Sequence, residues 1–352
     1  MGRLLPISLC MIAKNEEIFL DAALKSVKSI LNLKDMVVVD TGSTDRTREI
    51  ALYNGARVFD FEWCDDFSAA RNFAADQAIN DWVLMLDADE EMMSAEANEL
   101  EEFVKSPHII GALTRVEMSD KAHSFESRLY NRKAHIYEGL IHEQISPRNN
   151  AQKKVVNVPV LVAHHGYLPE FGRVEGKLER NERLLKKELS KYPDDPYLLY
   201  QLGKSYFCDS RDLAKACDAF GKALTDDLDV RLGYVYNMVE CYGYALLNTE
   251  QYEAALKLVE KYKKHYNEVP LFRFLTAHVY QNNGLLIEAV ECYESCIGAD
   301  IVDYGGITSY LSYYNIGVIL ECVGMLEDAV SMYESCGDYA PAVSRLSQLN
   351  KS

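Results

Sequence analysis

The chain has 352 residues, nearly half of them hydrophobic, and carries a formal net charge of −17. At roughly 150 residues per domain this length makes about two domains with sizeable cores. The acidic balance excludes a general binder of nucleic-acid backbones, which needs a basic face, but leaves room for a small basic pocket that takes a diphosphate.

The first residues, Met1-Gly-Arg-Leu-Leu-Pro-Ile-Ser-Leu-Cys10, hold no long apolar stretch with a small-residue cleavage site. No segment reaches about 18 apolar residues, so neither a secretory leader nor a membrane span is expected. Up to about Gly172, short apolar runs alternate with helical patterns. Ile7–Ile12 is predicted as the first strand and Glu16–Leu31 as a helix. Met36–Asp40 is a β-branched second strand, and the cap residues and mixed charges of Ser43–Glu49 start a helix. Arg57–Phe61 is a third strand, Phe67–Ile79 a helix and Trp82–Leu86 a fourth strand. Gly111–Glu117, Ser127–Tyr130 and Val155–His164 read as further strands. Alternation of this kind predicts an α/β domain with a Rossmann-like, mostly parallel sheet and helices on both faces.

From about Val174 the strand signals stop, and a tetratricopeptide-like helix-pair pattern takes over. One unit fits Leu202, Gly203, Tyr206, Ala216, Phe220 and Ala223, and a weaker one has Gly243, Ala255 and Val259. A third places Leu275, Ala277, Tyr280, Ala289, Tyr293 and Cys296 at the small and aromatic positions, and a fourth does so with Ile316, Gly317, Leu320, Ala329, Tyr333 and Cys336. From Ala289 to Ala329 is 40 residues, longer than the repeat's usual length of about 34, so the connection carries an insertion. The expected division is 1–172 and 173–352, with the boundary in Leu168-Pro-Glu-Phe-Gly172. The nine cysteines are scattered, odd in number and without zinc spacing, which reads as reduced, buried thiols of a cytoplasmic protein.

Chemistry concentrates at predicted strand ends. The apolar run at Trp82 ends abruptly in Asp87-Ala-Asp89-Glu90. Two carboxylates at that spacing, on the rim where open α/β sheets bind ligands, can face one hard cation completed by substrate phosphates. The first strand ends in Lys14-Asn15-Glu16-Glu17 and the second in Asp40-Thr-Gly42-Ser43-Thr44-Asp45. Asp40 can accept from a ribose or a pyrimidine N–H. Gly42 allows close backbone approach, and the following helix offers free N–H groups to anionic oxygens. Plain structural readings stand beside these. Asp40 can be a helix cap, Asp87 and Asp89 solvated loop acids, and His142 and His164 hydrogen-bonded structural histidines. Arg71 can pair with Asp65 or Asp66. Trp63 and Phe67 read as core or pocket wall, and Tyr280, Tyr293 and Tyr333 as core knobs. Arg173–Lys191, with Lys177, Arg180, Arg183, Lys186 and Lys187 among interleaved acids, reads as a solvated helix.

The segments Ile12–Glu16, Val38–Asp45, Asp66–Asn72, Leu86–Glu90, Arg128–Tyr130, Gly139–Glu143 and His164–Tyr167 resemble the GT-A, family-2 inverting glycosyltransferases. Their order and spacing are similar to the branch holding lipopolysaccharide-core β-glucosyltransferases and the peptide glycosyltransferases of glycocins, the latter with helical-repeat tails. The resemblance implies a UDP-sugar donor and Mn²⁺ or Mg²⁺. It implies that Asp40, Asn15 and Glu16 line the nucleoside pocket, with Ser43 in the adjoining loop. Asp87 would contact the ribose and sugar, Asp89 would ligate the metal, and His164 would be a further metal or diphosphate contact. Arg71 would steady phosphate or sugar hydroxyls, a task suited to its planar fork. An inverting displacement also needs a base near the acceptor. Glu143 and His142 are the candidates, a departure from the Glu-Asp pattern of many family-2 enzymes. The expected acceptor is a Ser, Thr or Cys side chain of a peptide or protein. A saccharide or lipid-linked envelope glycan is the alternative, and a scaffold with an inactive transferase domain the non-enzymatic one. A homodimer through the repeats is compatible with all three.

Overall fold

The computed structural model describes residues 4–118, 123–149, 151–165, 176–209, 212–299 and 305–349. By its internal contacts the chain divides into Met1–Glu188 and Leu189–Ser352. The boundary segment expected at Leu168–Gly172, like Gly166 and Tyr167 of the last motif, lies outside the described residues. The helix that follows it, Lys177–Leu189, belongs almost wholly to the first unit.

The first unit is built on an eight-stranded sheet in the order β3-β2-β1-β4-β7-β6-β10-β5. Four parallel strands form one half: β1 (Ile7–Ala13), β2 (Asp35–Asp40), β3 (Arg57–Asp60) and β4 (Trp82–Met85). β7 (His123–Asn131) runs antiparallel to both β4 and β6 (Ile110–Glu117). β10 (Val155–His164) then pairs parallel with β6 and antiparallel with β5 (Glu90–Ala95). The sheet is therefore mostly parallel, as predicted. A separate hairpin pairs β8 (His135–Glu138) with β9 (Gln144–Pro147).

The apolar runs of β1, β2 and β4 follow from coverage on both faces, which removes the polar alternation of a one-sided strand. Side chains still alternate between two cores. Leu9, Met11, Val38 and Leu84 join the core that includes Leu20, Ala23, Leu24 and Val27 of α1 (Leu20–Ile30), Ala51 of α2 (Thr47–Tyr53) and Leu100 of α4 (Ala97–Phe103). Cys10, Val37, Val39, Val83 and Met85 join the opposite core with Ala74 and Ala75 of α3 (Phe67–Asp76). Registers Ala13↔Asp40 and Cys10↔Met85 bring the carboxyl ends of β1, β2 and β4 to one rim.

Some boundaries differ from expectation. The first helix begins at Leu20 rather than Glu16, because Glu16 closes a turn in which its carbonyl accepts from Phe19 and Leu20 N–H groups. β7 starts four residues earlier than predicted, since its first half alternates in exposure and carries no apolar run. The sequence EEMMSA of β5 and the charged ANELEEF of α4 gave no strand or helix signal.

The first unit ends with α5 (Lys177–Leu189), and the second consists of paired helices: α6 (Pro196–Asp209) with α7 (Leu213–Ala223), α8 (Gly233–Asn248) with α9 (Tyr252–Tyr266), α10 (Pro270–Asn282) with α11 (Leu286–Glu294), and α12 (Tyr310–Cys322) with α13 (Leu326–Glu334), followed by α14 (Ala340–Leu349). The repeat glycines mark close crossings. A Cβ at Gly203 would sit 2.6 Å from the Phe220 ring, at Gly243 2.7 Å from Leu275, and at Gly317 2.7 Å from the Tyr333 ring. Tyr280, Tyr293 and Tyr333 are buried core knobs, as read from the repeat pattern. Gly317→Val should therefore lower stability by about 1–3 kcal/mol through overpacking, even though it removes a helix-weakening glycine. Gly233→Ala, where an added Cβ meets nothing within 4 Å, should not lower it. Thermal melts of the two variants beside the parent chain check both.

Candidate active site

The rim where β1, β2 and β4 end opens into a cleft of about 570 Å³. Its lining joins Lys14, Asn15 and Glu16 after β1, Thr41 after β2, Asp87 and Asp89 after β4, and His164 at the end of β10. Trp63, Phe67, Arg71 and Arg180 complete the wall. The expectation that Trp63 and Phe67 are pocket wall thus holds, and the two rings meet edge to face at 4.8 Å.

The first two loops brace each other. Asn15 adopts φ +56°, and its N–H donates to Ser43 Oγ at 3.0 Å. The Thr44 N–H donates to Asn15 Oδ1 at 2.8 Å. Asp40, almost wholly buried, accepts through Oδ1 from the N–H groups of Ser43 (2.8 Å) and Gly42 (3.2 Å). Gly42 takes φ +101°, a conformation that glycine adopts without strain. Asp40 and Ser43 are not among the lining residues; they fix the turn that presents Thr41 and Asn15.

Asp87 is held by two arginines from distant segments. Arg71 Nη2 donates to its Oδ1 at 2.7 Å and Arg128 Nη2 to its Oδ2 at 2.9 Å. Burial alone would raise the Asp87 carboxyl, but Arg128 and then Arg71 outweigh it and keep it well below the usual carboxylate range. Arg71 Nε also donates to Glu143 Oε1, and the Arg71 guanidinium lies 5.6 Å from the centre of the Tyr137 ring. The alternative pairing of Arg71 with Asp65 or Asp66 is not formed. Asp66 caps α3 by accepting from Ala69 N–H, and Asp65 is engaged by Arg183. Next to Asp87, the fully buried Glu90 accepts from the Asp87 N–H at 2.9 Å. Burial, and then the charge of Asp87, push its carboxyl up to about 7.

Asp89 and His164 meet across the cleft. His164 Nε2 is 3.6 Å from Asp89 Oδ2, while Nδ1 contacts Glu117 Oε2 at 2.7 Å. Burial opposes the imidazolium, but the two carboxylates outweigh burial and raise its pKa to about 9. Glu143 and His142 lie on the loop between β8 and β9, after Gly139. Glu143 is buried against Arg71, whereas His142 is exposed with φ +52°. The structure therefore gathers Asn15, Glu16, Arg71, Asp87, Asp89 and His164 in one cleft, with Glu143 one guanidinium away from Asp87. Glu117 and Arg115 were not singled out from sequence, and Glu90 and Arg128 appeared only as parts of matching segments. The signal available for Arg128 was a charged residue directly before the apolar pair Leu129-Tyr130 of β7.

Residues 8–160 match the model described as glycosyl transferase family 2. The first unit carries a family 2 glycosyltransferase domain. A TPR repeat-containing protein of Synechococcus elongatus is 34% identical over 209 residues, 56% of this chain and 51% of its own length. The SPbeta prophage-derived glycosyltransferase SunS of Bacillus subtilis is 27% identical over 230 residues, 61% of this chain and 52% of its own. The chain thus spans about half the length of either relative. Among solved structures, YrrB, a TPR protein with an unusual peptide-binding site, aligns at 22% identity and a TM-score of 0.42, covering 50% of this chain and 84% of its own. No described helix is long and apolar enough to cross a membrane.

Two consequences of the domain's buried charges can be measured. Removing one member of a buried ion pair strands its partners, at a cost of about 3–5 kcal/mol. Arg71→Met should lose stability in that range in urea unfolding, and Arg71→Met/Glu143→Gln should lose less than the single variant. Glu90 behaves in the opposite sense to a paired carboxylate. Because folding raises its pKa from 4.5 to about 7, its contribution is most favourable below the lower value and declines as pH rises through that interval. Glu90→Gln should flatten that decline in unfolding curves taken on either side of the interval.

Proposed function

We propose that the chain is an inverting glycosyltransferase that moves a hexose or N-acetylhexosamine from a UDP-sugar to a Ser, Thr or Cys side chain of a peptide or protein. One observation carries the reading: Asp87, Asp89 and His164 converge with Asn15 and Glu16 in a single cleft at the strand ends of a family 2 domain. The peptide acceptor is supported by the helical repeats of the second unit, an architecture whose stacked helices present extended binding surfaces.

Asp89 and His164 would hold Mn²⁺ or Mg²⁺. The donor set fits such an ion in part. One carboxylate oxygen and one ring nitrogen face each other at 3.6 Å, and Glu117 on Nδ1 turns Nε2 toward Asp89, as carboxylate partners of metal-binding histidines do. Among the described residues no three His, Cys, Asp or Glu side chains form a closed metal cluster. Two protein ligands leave positions for diphosphate oxygens, the usual arrangement in nucleotide sites. When bound, the ion supplies Lewis-acid stabilisation of the leaving diphosphate.

The remaining steps belong to the chain's own groups. Asn15 and Glu16 line the nucleoside end, and Asp40 fixes the loop beside them through its bonds to Gly42 and Ser43. Arg71 and Arg128 keep Asp87 ionised and oriented toward the ribose and sugar hydroxyls. The acceptor oxygen or sulfur attacks the anomeric carbon as the bond to the diphosphate oxygen breaks, and UDP departs. His142 or Glu143 takes the acceptor proton. A thiol acceptor needs the base least, since some thiolate exists near neutral pH.

With Mn²⁺ present, the parent chain should hydrolyse UDP-glucose slowly. Asp89→Ala should reduce that rate by about 100-fold, the scale of a lost charge-stabilising group. Equal rates in parent and variant would refute the metal role. Incubation with UDP-glucose and a peptide library, read by mass shift, should label peptides; labelling of saccharides alone would overturn the acceptor. Trp63 is one of only two tryptophans, and the other, Trp82, is buried in the core. UDP should therefore change the intrinsic fluorescence of the parent chain but not of Trp63→Phe.

A further inference from the structure

Helix α5 supplies a cation to the cleft that the reading so far leaves unused. Arg183 of this helix binds Asp65 through two N–H groups, at 2.5 and 2.9 Å. Glu188 accepts from the Leu140 N–H at 2.9 Å, and Phe67 N–H donates to the Leu140 carbonyl at 2.9 Å. The helix is thereby tied to both the Trp63–Phe67 wall and the Gly139–Glu143 loop. One turn before Arg183 sits Arg180, whose guanidinium lies 5.1 Å from the centre of the Phe67 ring and lines the same cleft as Asp89 and His164.

The other arginines near the cleft are committed to carboxylates. Arg71 is shared by Asp87 and Glu143, and Arg128 binds Asp87. Arg180 makes no ion pair among the described residues. Its Nε and Nη2 rest on the Oδ1 of neighbouring Asn181, at 3.3 and 3.0 Å. Burial, and then the charge of Arg183, work against its cationic form. A half-buried guanidinium with no ion pair among the described residues, stacked on a ring and facing a cleft, is placed to gain from an incoming anion.

We infer that Arg180 binds the diphosphate of the donor and steadies it as it leaves, from a helix that follows the α/β sheet in the chain. This rests on the nucleotide-sugar reading of the cleft. The planar fork of Arg180 matches phosphate oxygens, and an Asn181 amide oxygen is a weak partner that a phosphate displaces readily. The stretch from Arg173 to Lys191, read from sequence as a solvated helix, thus contains a ligand contact at Arg180 and a structural clamp at Arg183.

The test compares parent chain, Arg180→Met, which keeps the stem on Phe67, and Arg180→Lys, which keeps the charge. Each is titrated by calorimetry with UDP and with uridine, both in Mn²⁺. The expected result is a loss of about 10- to 100-fold in UDP affinity in Arg180→Met, with uridine affinity unchanged and UDP affinity partly restored in Arg180→Lys. Unchanged UDP affinity in Arg180→Met overturns the inference and leaves the nucleotide site standing. An equal loss for uridine and UDP also overturns it, because that marks a role in shaping the wall. A parent chain that binds neither compound removes the nucleotide reading itself, and the inference with it.

Discussion

The buried guanidinium of Arg71 joins three parts of the first unit that the chain brings from far apart. It reaches from α3 to Asp87 after β4 and to Glu143 after the Gly139 turn. Arg128 on β7 closes the arrangement on the other oxygen of Asp87. Acids at the end of wholly apolar strands are costly to bury, and they remain ionised here because two arginines are buried with them. A buried pair of this kind adds little net stability over apolar packing. Its consequence is geometric: the Asp87 carboxylate has both oxygens engaged and one orientation open to it.

That geometry decided what the sequence could reveal. β1, β2 and β4 were legible because coverage on both faces makes them continuous apolar runs, and the polar residues that end them were legible as a rim. The repeats were legible because Gly203 and Gly317 meet aromatic rings so closely that only glycine fits. β5 was not, since Glu90–Ala95 mixes acids with methionines and gains its pairing from β10, about 70 residues later. Partners set by folding alone were equally hidden. Nothing local connects Glu117 to His164 or Arg128 to Asp87, separated by 47 and 41 residues. The charge pattern of α5 did not show that Arg180 lines the cleft or that Arg183 pairs with Asp65, because alternation with acids does not tell which side chains meet a neighbouring loop.

Charge accounting across the cleft links these observations to the chemistry. The chain is strongly acidic, and the cleft itself presents Glu16, Asp87 and Asp89. A diphosphate entering such a site meets like charge unless cations are already positioned there, and like charges held a few ångströms apart in a partly desolvated cleft repel strongly. Arg71 and Arg128 do not supply that compensation, because their charges are matched by Asp87, Glu143 and Glu90. His164 is matched in turn by Asp89 and Glu117. What remains on the lining is Lys14, exposed at the mouth, and Arg180 on the wall. Two such cations balance a diphosphate only in part with Asp89 beside it. In the proposed reading, a cation held by Asp89 and a deprotonated His164 would offset part of that repulsion.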